Sequence, residues 1–366
     1  MANFKNYSPN YATPPGWTLE ELLEEKFMTQ VELARRTELS PKLISQIIHG
    51  KAPISAETAI KLEPATGVPA RVWQSLESTF REHEIRLAGE ADLDDCKNFL
   101  NRFPTKEMVK MRLLTPDAEP IDNSRELFHF FGVTSPDAWD DIWSRTLETA
   151  EFRRSPKSDL GALAVWLRLG ELKASKIQKY PWDSAKFRDA LKVAIKLTKN
   201  PEPDKWYPEL LDLCAKAGVT LVVVPEVRGA RVNGASRWLS SDRALIQLSL
   251  RYKWSDIFWF SFFHEARHIL DETKTPIFIN YSADDDDDSE RRADLFATNT
   301  LIPQKYSDEL KQLKSLQDIK AFADKIGIHP GIVVGRLQHD GLRRHDYGNN
   351  LRQRLELKES AQHYNI

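Results

Sequence analysis

A mainly helical protein with one α+β region towards its C-terminal end is the fold class this sequence predicts. Three observations carry that expectation. Apolar residues recur at helical spacing through most of the first 200 positions. Strand-like runs are confined to Val219 to Val224, Val232 to Leu239 and Ala244 to Leu250. A long apolar helix, Ile257-Phe258-Trp259-Phe260-Ser261-Phe262-Phe263, then follows without a helix breaker and runs into two histidines.

In chain order, residues 1–15 are polar, end in Pro14-Pro15 and read as a flexible tail. Residues 16–85 read as short helices. Leu19, Leu22 and Leu23 make one, with Thr18 as its N-cap. Thr29 caps a second whose apolar face is Val31, Leu33 and Ala34, and Glu32 completes a capping box. Glu38-Leu39 makes a turn. Ser40 caps a third helix with Pro41 at its first position, running through Leu43, Ile44, Ile47 and Ile48 to the stop signal Gly50. Residues 86–200 hold helical patterns broken by prolines and read as a helical connector. The α+β domain spans 201–345, and 346–366 read as a tail.

Two short helices, a tight turn and a buried aliphatic in the second helix are helix-turn-helix geometry. In that geometry the exposed residues early in the third helix enter the major groove. Here they are Pro41, Lys42, Ser45 and Gln46. Gln46 suits a bidentate contact to adenine, and Lys42 a guanine or a phosphate. Gln30 is placed for a phosphate, and His49 and Lys51 flank the DNA backbone. The first 81 residues balance nine Lys/Arg against nine Asp/Glu, so dimers on paired half-sites are expected rather than tight monomer binding.

The run His264-Glu265-Ala266-Arg267-His268 carries the second chemistry. On a helix the two imidazoles lie one turn apart on one face and reach one metal ion, with Glu265 beside them to polarise a water. A catalytic zinc site needs a third protein ligand and an open position. Ser289 to Ala297 reads as a further helix with Glu290 and Asp294 at i and i+4. Glu290 is the expected third ligand, and Asp294 the carboxylate that accepts a ligand N–H and orients its ring. The plainer reading is two buried helices with charged residues on their solvated sides. Such a site hydrolyses peptide bonds, with Zn2+ as cofactor and Glu265 as general base. The strand near Ile246 to Leu248 is a candidate to pair with an extended substrate.

Bulk numbers bound the rest. Hydrophobic content of 41% and charged content of 29% are those of a soluble globular protein. No apolar run approaches the roughly 18 residues of a membrane helix, so no membrane partner is expected. Two distant cysteines, Cys96 and Cys214, point to a reduced, cytoplasmic setting. A net charge of −2 means that any nucleic-acid contact is local. Asp284 to Asp288 is a five-carboxylate run that reads as a solvated loop.

These residues also resemble known families. Gln30 to Ala34, Leu43 to Gly50, Pro53-Ile54, Ala59-Ile60 and Val72-Trp73 to Leu76 resemble the helix-turn-helix of HigA-type antitoxins and XRE-like repressors. Gly234 to Ser240, Ile246 to Ser249, Phe258 to Phe260, Phe263 to Leu270, Glu290 to Ala297 and Leu301 to Pro303 resemble the ImmA/IrrE metallopeptidase-like family. The resemblance implies a five-helix XRE-like domain and a small gluzincin-like unit with a twisted sheet beside the H-E-x-x-H helix. It makes His264, His268 and Glu290 zinc ligands and Glu265 the general base. It also implies operator DNA and a toxin or repressor protein as partner or substrate. Members of the second family usually carry glycine where this chain has Arg267. At i+3 from His264, Arg267 is placed to approach and repel the metal or to bind a substrate carboxylate. A repulsive Arg267 would leave a HigA-like antitoxin or autorepressor without catalysis. Ile319 to Gln338 reads as a second helix-turn-helix that the resemblance packs onto the peptidase unit. Tyr281, His329, His339 and His345 are candidate transition-state donors.

Overall fold

The computed structural model describes residues 12–88, 93–151, 159–177, 180–271, 278–281 and 288–357. They divide into two compact units, Met1–Asp92 and Leu93–Ile366.

The first unit holds five helices: α1 (Pro15–Glu25), α2 (Gln30–Thr37), α3 (Pro41–Ile48), α4 (Ala56–Thr66) and α5 (Ala70–Ala88). Leu19, Leu33, Ile44, Ile47, Leu62 and Trp73 form its core. Thr29 and Ser40 cap α2 and α3 through Glu32 N and Leu43 N, each at 3.1 Å. Between them Glu38 takes a left-handed φ of 56°, which makes the sharp turn.

Three sequence expectations are corrected here. Thr18 is not a cap, because α1 begins at Pro15, where proline needs no N–H donor. Val31 is 51% exposed, since it lies about 200° around the helix from Leu33; Leu33, Ala34 and Thr37 are the buried face. The capping box on α2 is half formed, because the Glu32 carboxylate turns forward to Arg36, accepting from Nε at 3.1 Å.

The start of α1 lies on the end of α3. A Cβ on Gly16 would stand 2.1 Å from the Ile47 carbonyl oxygen and 2.4 Å from Ile48 Cα, so only glycine permits that approach. Buried Glu77 of α5 accepts from Ile54 N at 3.0 Å and from Arg81 Nε at 2.7 Å, tying the chain after α3 to α5.

The second unit begins with α6 (Leu93–Leu100), α7 (Thr105–Lys110), α8 (Pro120–Phe131), α9 (Pro136–Glu151), α10 (Leu160–Ser175), α11 (Ser184–Leu197) and α12 (Pro203–Lys216). A four-stranded sheet follows, built from β1 (Val219–Val223), β2 (Val232–Ser240), β3 (Arg243–Leu248) and β4 (Phe278–Tyr281) in the order β1-β3-β2-β4. Strand β1 runs parallel to β3, while β2 is antiparallel to both β3 and β4. Helix α13 (Ser255–Leu270) precedes β4, and α14 (Asp288–Leu301), α15 (Ser307–Gln312), α16 (Leu316–Ile326) and α17 (Pro330–His339) complete the unit.

Every residue of β3 is buried. Ala244, Ile246 and Leu248 belong to the core that contains α13, while Leu245 belongs to the core of α6–α10. Alternation therefore sorts one strand between two helical layers. Gln247, a polar residue inside this strand, is buried and donates to the Trp166 carbonyl at 2.6 Å. The stretch read as a connector is helical, and its helices α6–α10 share a core with the sheet.

Helix α13 is buried along nearly its whole length; Trp259 packs on Trp206 at a tilt, with centroids 4.7 Å apart. Part of the stretch read as a C-terminal tail is also held. Arg352 pairs with buried Asp256 at 2.8 Å and lies over Trp254, and Leu355 is 1% exposed. In the α16–α17 pair, which reads as a second helix-turn-helix, Ile332, Val333, Val334 and Leu337 of α17 pack into the core that contains α13. Among the described residues, no helix is long and apolar enough to cross a membrane.

Candidate functional site

His264 and His268 face α14 from one side of α13, and Glu290 faces them from the first turn of α14. The two Nε2 atoms are 3.1 Å apart. Glu290 Oε2 lies 3.0 Å from His264 Nε2, and Oε1 lies 3.2 Å from His268 Nε2. Ligand atoms about 2.1 Å from a tetrahedral zinc ion stand roughly 3.4 Å from one another. The donor set fits such an ion with only a slight expansion. Asp294 Oδ1 lies 2.8 Å from His264 Nδ1. An Nδ1–H donated there leaves the Nε2 lone pair facing the shared point.

The charges respond to this crowding. Burial opposes the cationic form of His264, but the Asp294 and Glu290 hydrogen bonds outweigh it and raise the imidazole to about 10. Burial also opposes ionisation of Glu290, yet hydrogen bonds from both histidines hold it well below the ordinary carboxylate range.

Glu265 is fully buried; among the described residues neither carboxylate oxygen has a hydrogen-bond partner at normal distance, and the Ser236 hydroxyl is a nearby donor. Burial pushes its pKa up to about 8. It lies against β2, where a Cβ on Gly234 would stand 2.7 Å from Oε1. A buried carboxylate short of donors is costly unless something else completes its shell. Water held at the neighbouring donor set would do so. The sequence reading missed Gly234 in this role, although a glycine inside a strand signals close approach.

Arg267 does not join the histidines. Its Nη2 lies 2.5 Å from Asp271 Oδ1, and its guanidinium carbon is 5.8 Å from the Phe296 ring centroid. The expected approach to the metal is therefore corrected: Asp271 holds the side chain along its own helix, and Phe296 of α14 faces it from across.

Of the proposed transition-state donors, His329 is used as the N-cap of α17, with Nδ1 accepting from Gly331 N at 3.1 Å. His339 is 78% exposed, with its ring 6.5 Å from that of Phe260, which is itself 6.2 Å from His264. His345 is exposed on the loop after α17. The side chain of Tyr281 and most of the acidic run Asp284 to Asp288 lie outside the described residues. The pairing of substrate with Ile246 to Leu248 is overturned, since β1 and β2 already occupy both edges of β3.

In the first unit, Pro41 and Lys42 are exposed at the start of α3, and Ser45 and Gln46 are partly exposed one turn later. Gln30 is partly exposed at the first position of α2, and His49 and Lys51 are exposed beyond the end of α3. His49 Nδ1 lies 2.7 Å from the Ser45 carbonyl oxygen.

Residues 19–73 match the helix-turn-helix family. Over 66 residues the chain is 33% identical to an uncharacterized HTH-type transcriptional regulator, YddM, of Escherichia coli strain K12, covering 18% of this chain and 70% of that protein. The chain belongs to the HTH-type transcriptional regulators. This regulator is also similar to two solved Pseudomonas aeruginosa structures. One is the antitoxin HigA with the higBA promoter, at 28% identity, covering 21% of this chain and 85% of that one with a TM-score of 0.21. The other is a protein in complex with its operator DNA, at 26% identity, with the same coverage and TM-score.

Proposed function

We propose that this regulator binds operator DNA through α2 and α3, and that its second unit is a zinc peptidase of ImmA/IrrE type acting on a specific protein partner. The observation that carries the second half is the convergence of His264, His268 and Glu290 beside the buried carboxylate of Glu265. His264, His268 and Glu290 would hold the ion, which when bound supplies Lewis-acid polarisation of water and of a peptide carbonyl. Beside a divalent charge, Glu265 favours its carboxylate form. It then takes the proton of the attacking water at a carboxylate oxygen and delivers it to the leaving amine. Asp294 holds the His264 ring throughout.

On the DNA side, Gln46 reads an adenine edge, Lys42 and Ser45 lie beside it in the groove, and Gln30, His49 and Lys51 lie along the phosphates. Dimers on paired half-sites supply the affinity that a charge-balanced unit lacks. A toxin or repressor protein is the proposed partner.

A second reading rests on burial: Glu265 is 0% exposed, His264 2% and His268 1%. In that reading the pocket senses or stabilises, and the protein is a HigA-like autorepressor without catalysis. Glu265→Gln separates the two. Cleavage predicts new N-termini in one cellular protein with the wild type, absent with Glu265→Gln, while zinc content and promoter footprint are unchanged. Identical N-termini for both forms would leave the autorepressor, whose footprint is lost with Gln46→Ala and is indifferent to Glu265→Gln.

A further inference from the structure

A second set of side chains, none of them a proposed ligand, joins α13 to α14. Arg267 is paired along its own helix with Asp271 and reaches across to the ring of Phe296. From α14, Arg292 approaches the other Asp271 oxygen at 3.9 Å and also pairs with Asp288. The Arg267 and Asp271 side chains are only 28% and 12% exposed, so these contacts are less screened than surface pairs.

Phe296 stands two residues beyond Asp294 and six beyond Glu290 on the same helix. Fixing Phe296 therefore fixes the rotation of α14. A carboxylate roughly 6 Å from the helix axis moves on the order of 2 Å for a 20° rotation. Metal–ligand distances tolerate only about 0.2 Å. A small slip of α14 is thus enough to remove Glu290 from the donor set.

We infer that Arg267 is a positioning residue for the metal centre, clamping α14 through Asp271 and Phe296 so that Glu290 meets His264 and His268. The inference rests on the metal reading above. It gives the arginine a supporting role where its position in the motif suggested a disabling one.

The test uses the full chain as wild type, Arg267→Ala, Arg267→Lys and Phe296→Ala. Hydrogen exchange on chelator-treated protein reads the clamp without metal. Residues 288–301 should exchange about 10-fold faster in Arg267→Ala and Phe296→Ala, with the first unit unchanged. Arg267→Lys keeps the charge and loses the guanidinium that meets Asp271 and Phe296 together, so it should fall between. Zinc titration then reads the centre: affinity should drop about 10-fold in the two alanine variants, and the visible spectrum of the cobalt-loaded protein should shift. Unchanged exchange in 288–301 would overturn the clamp. Tighter zinc binding by Arg267→Ala would also overturn it, because it would show the guanidinium repelling the ion. A wild type that takes up no zinc would remove the metal reading, while the exchange measurement would still decide whether Arg267 fixes α14.

Discussion

His264 and Glu265 both hold protons at a pH where their ordinary values would release them. His264 is raised from 6.5 to about 10 and Glu265 from 4.5 to about 8. A group whose folded value is raised stabilises the protein below its unfolded value and loses that contribution as pH rises through the folded one. Both shifts therefore act in one direction. The chelator-treated protein should lose on the order of 5 °C in its second-unit melting temperature between pH 7 and pH 10. Zinc should abolish that fall, because the ion replaces the His264 proton and favours ionised Glu265. Thermal scans with chelator and with zinc check this, and a flat chelator curve would contradict it. At this scale the sequence was informative for which side chains converge, since H-E-x-x-H and Glu-x-x-x-Asp each fix a face by helix geometry alone. It was not informative for Arg267, whose direction is set by Phe296 and Asp271. Motif spacing places a Cα and leaves a long side chain free.

The first-unit helices were legible because their caps and apolar positions are local signals. Thr29, Ser40 and Pro41 act at the boundaries their residue types favour. What escaped was the contact between helices. Gly16 carries no signal of its own in the sequence, yet it lets α1 approach the α3 backbone. Gly16→Ala should destabilise the first unit by about 2–3 kcal/mol, because backbone atoms cannot step aside. Promoter binding should weaken with it while zinc uptake stays intact; a variant as stable as wild type would show that α1 can shift freely. The sheet was half legible for the same reason. The runs that became β1, β2 and β3 are readable, but strand order depends on pairings distant in sequence. Substrate pairing was therefore assigned to β3, which has no free edge.

The two units carry separate cores, one built around Trp73 and Ile44, the other around the sheet, α10 and α13. A ligand that binds only one of them should stabilise only that one. Calorimetry should show two transitions. Zinc at about 100 times its dissociation constant should add about 2.7 kcal/mol to the second and leave the first in place. A single transition, or a shift of both, would mean that the units unfold together. Within the second unit, Leu245 and Ile246 lie on opposite faces of one strand and join different cores; the alternation in Ala244 to Leu250 was legible, the second helical layer it serves was not.

Asp294 is 59% exposed, while the imidazole it touches is 2% exposed. That one hydrogen bond links a sealed interior to bulk water. A carboxylate that water can reach thereby sets the tautomer of a ring that water cannot, and the far nitrogen of that ring is the one turned to His268 and Glu290.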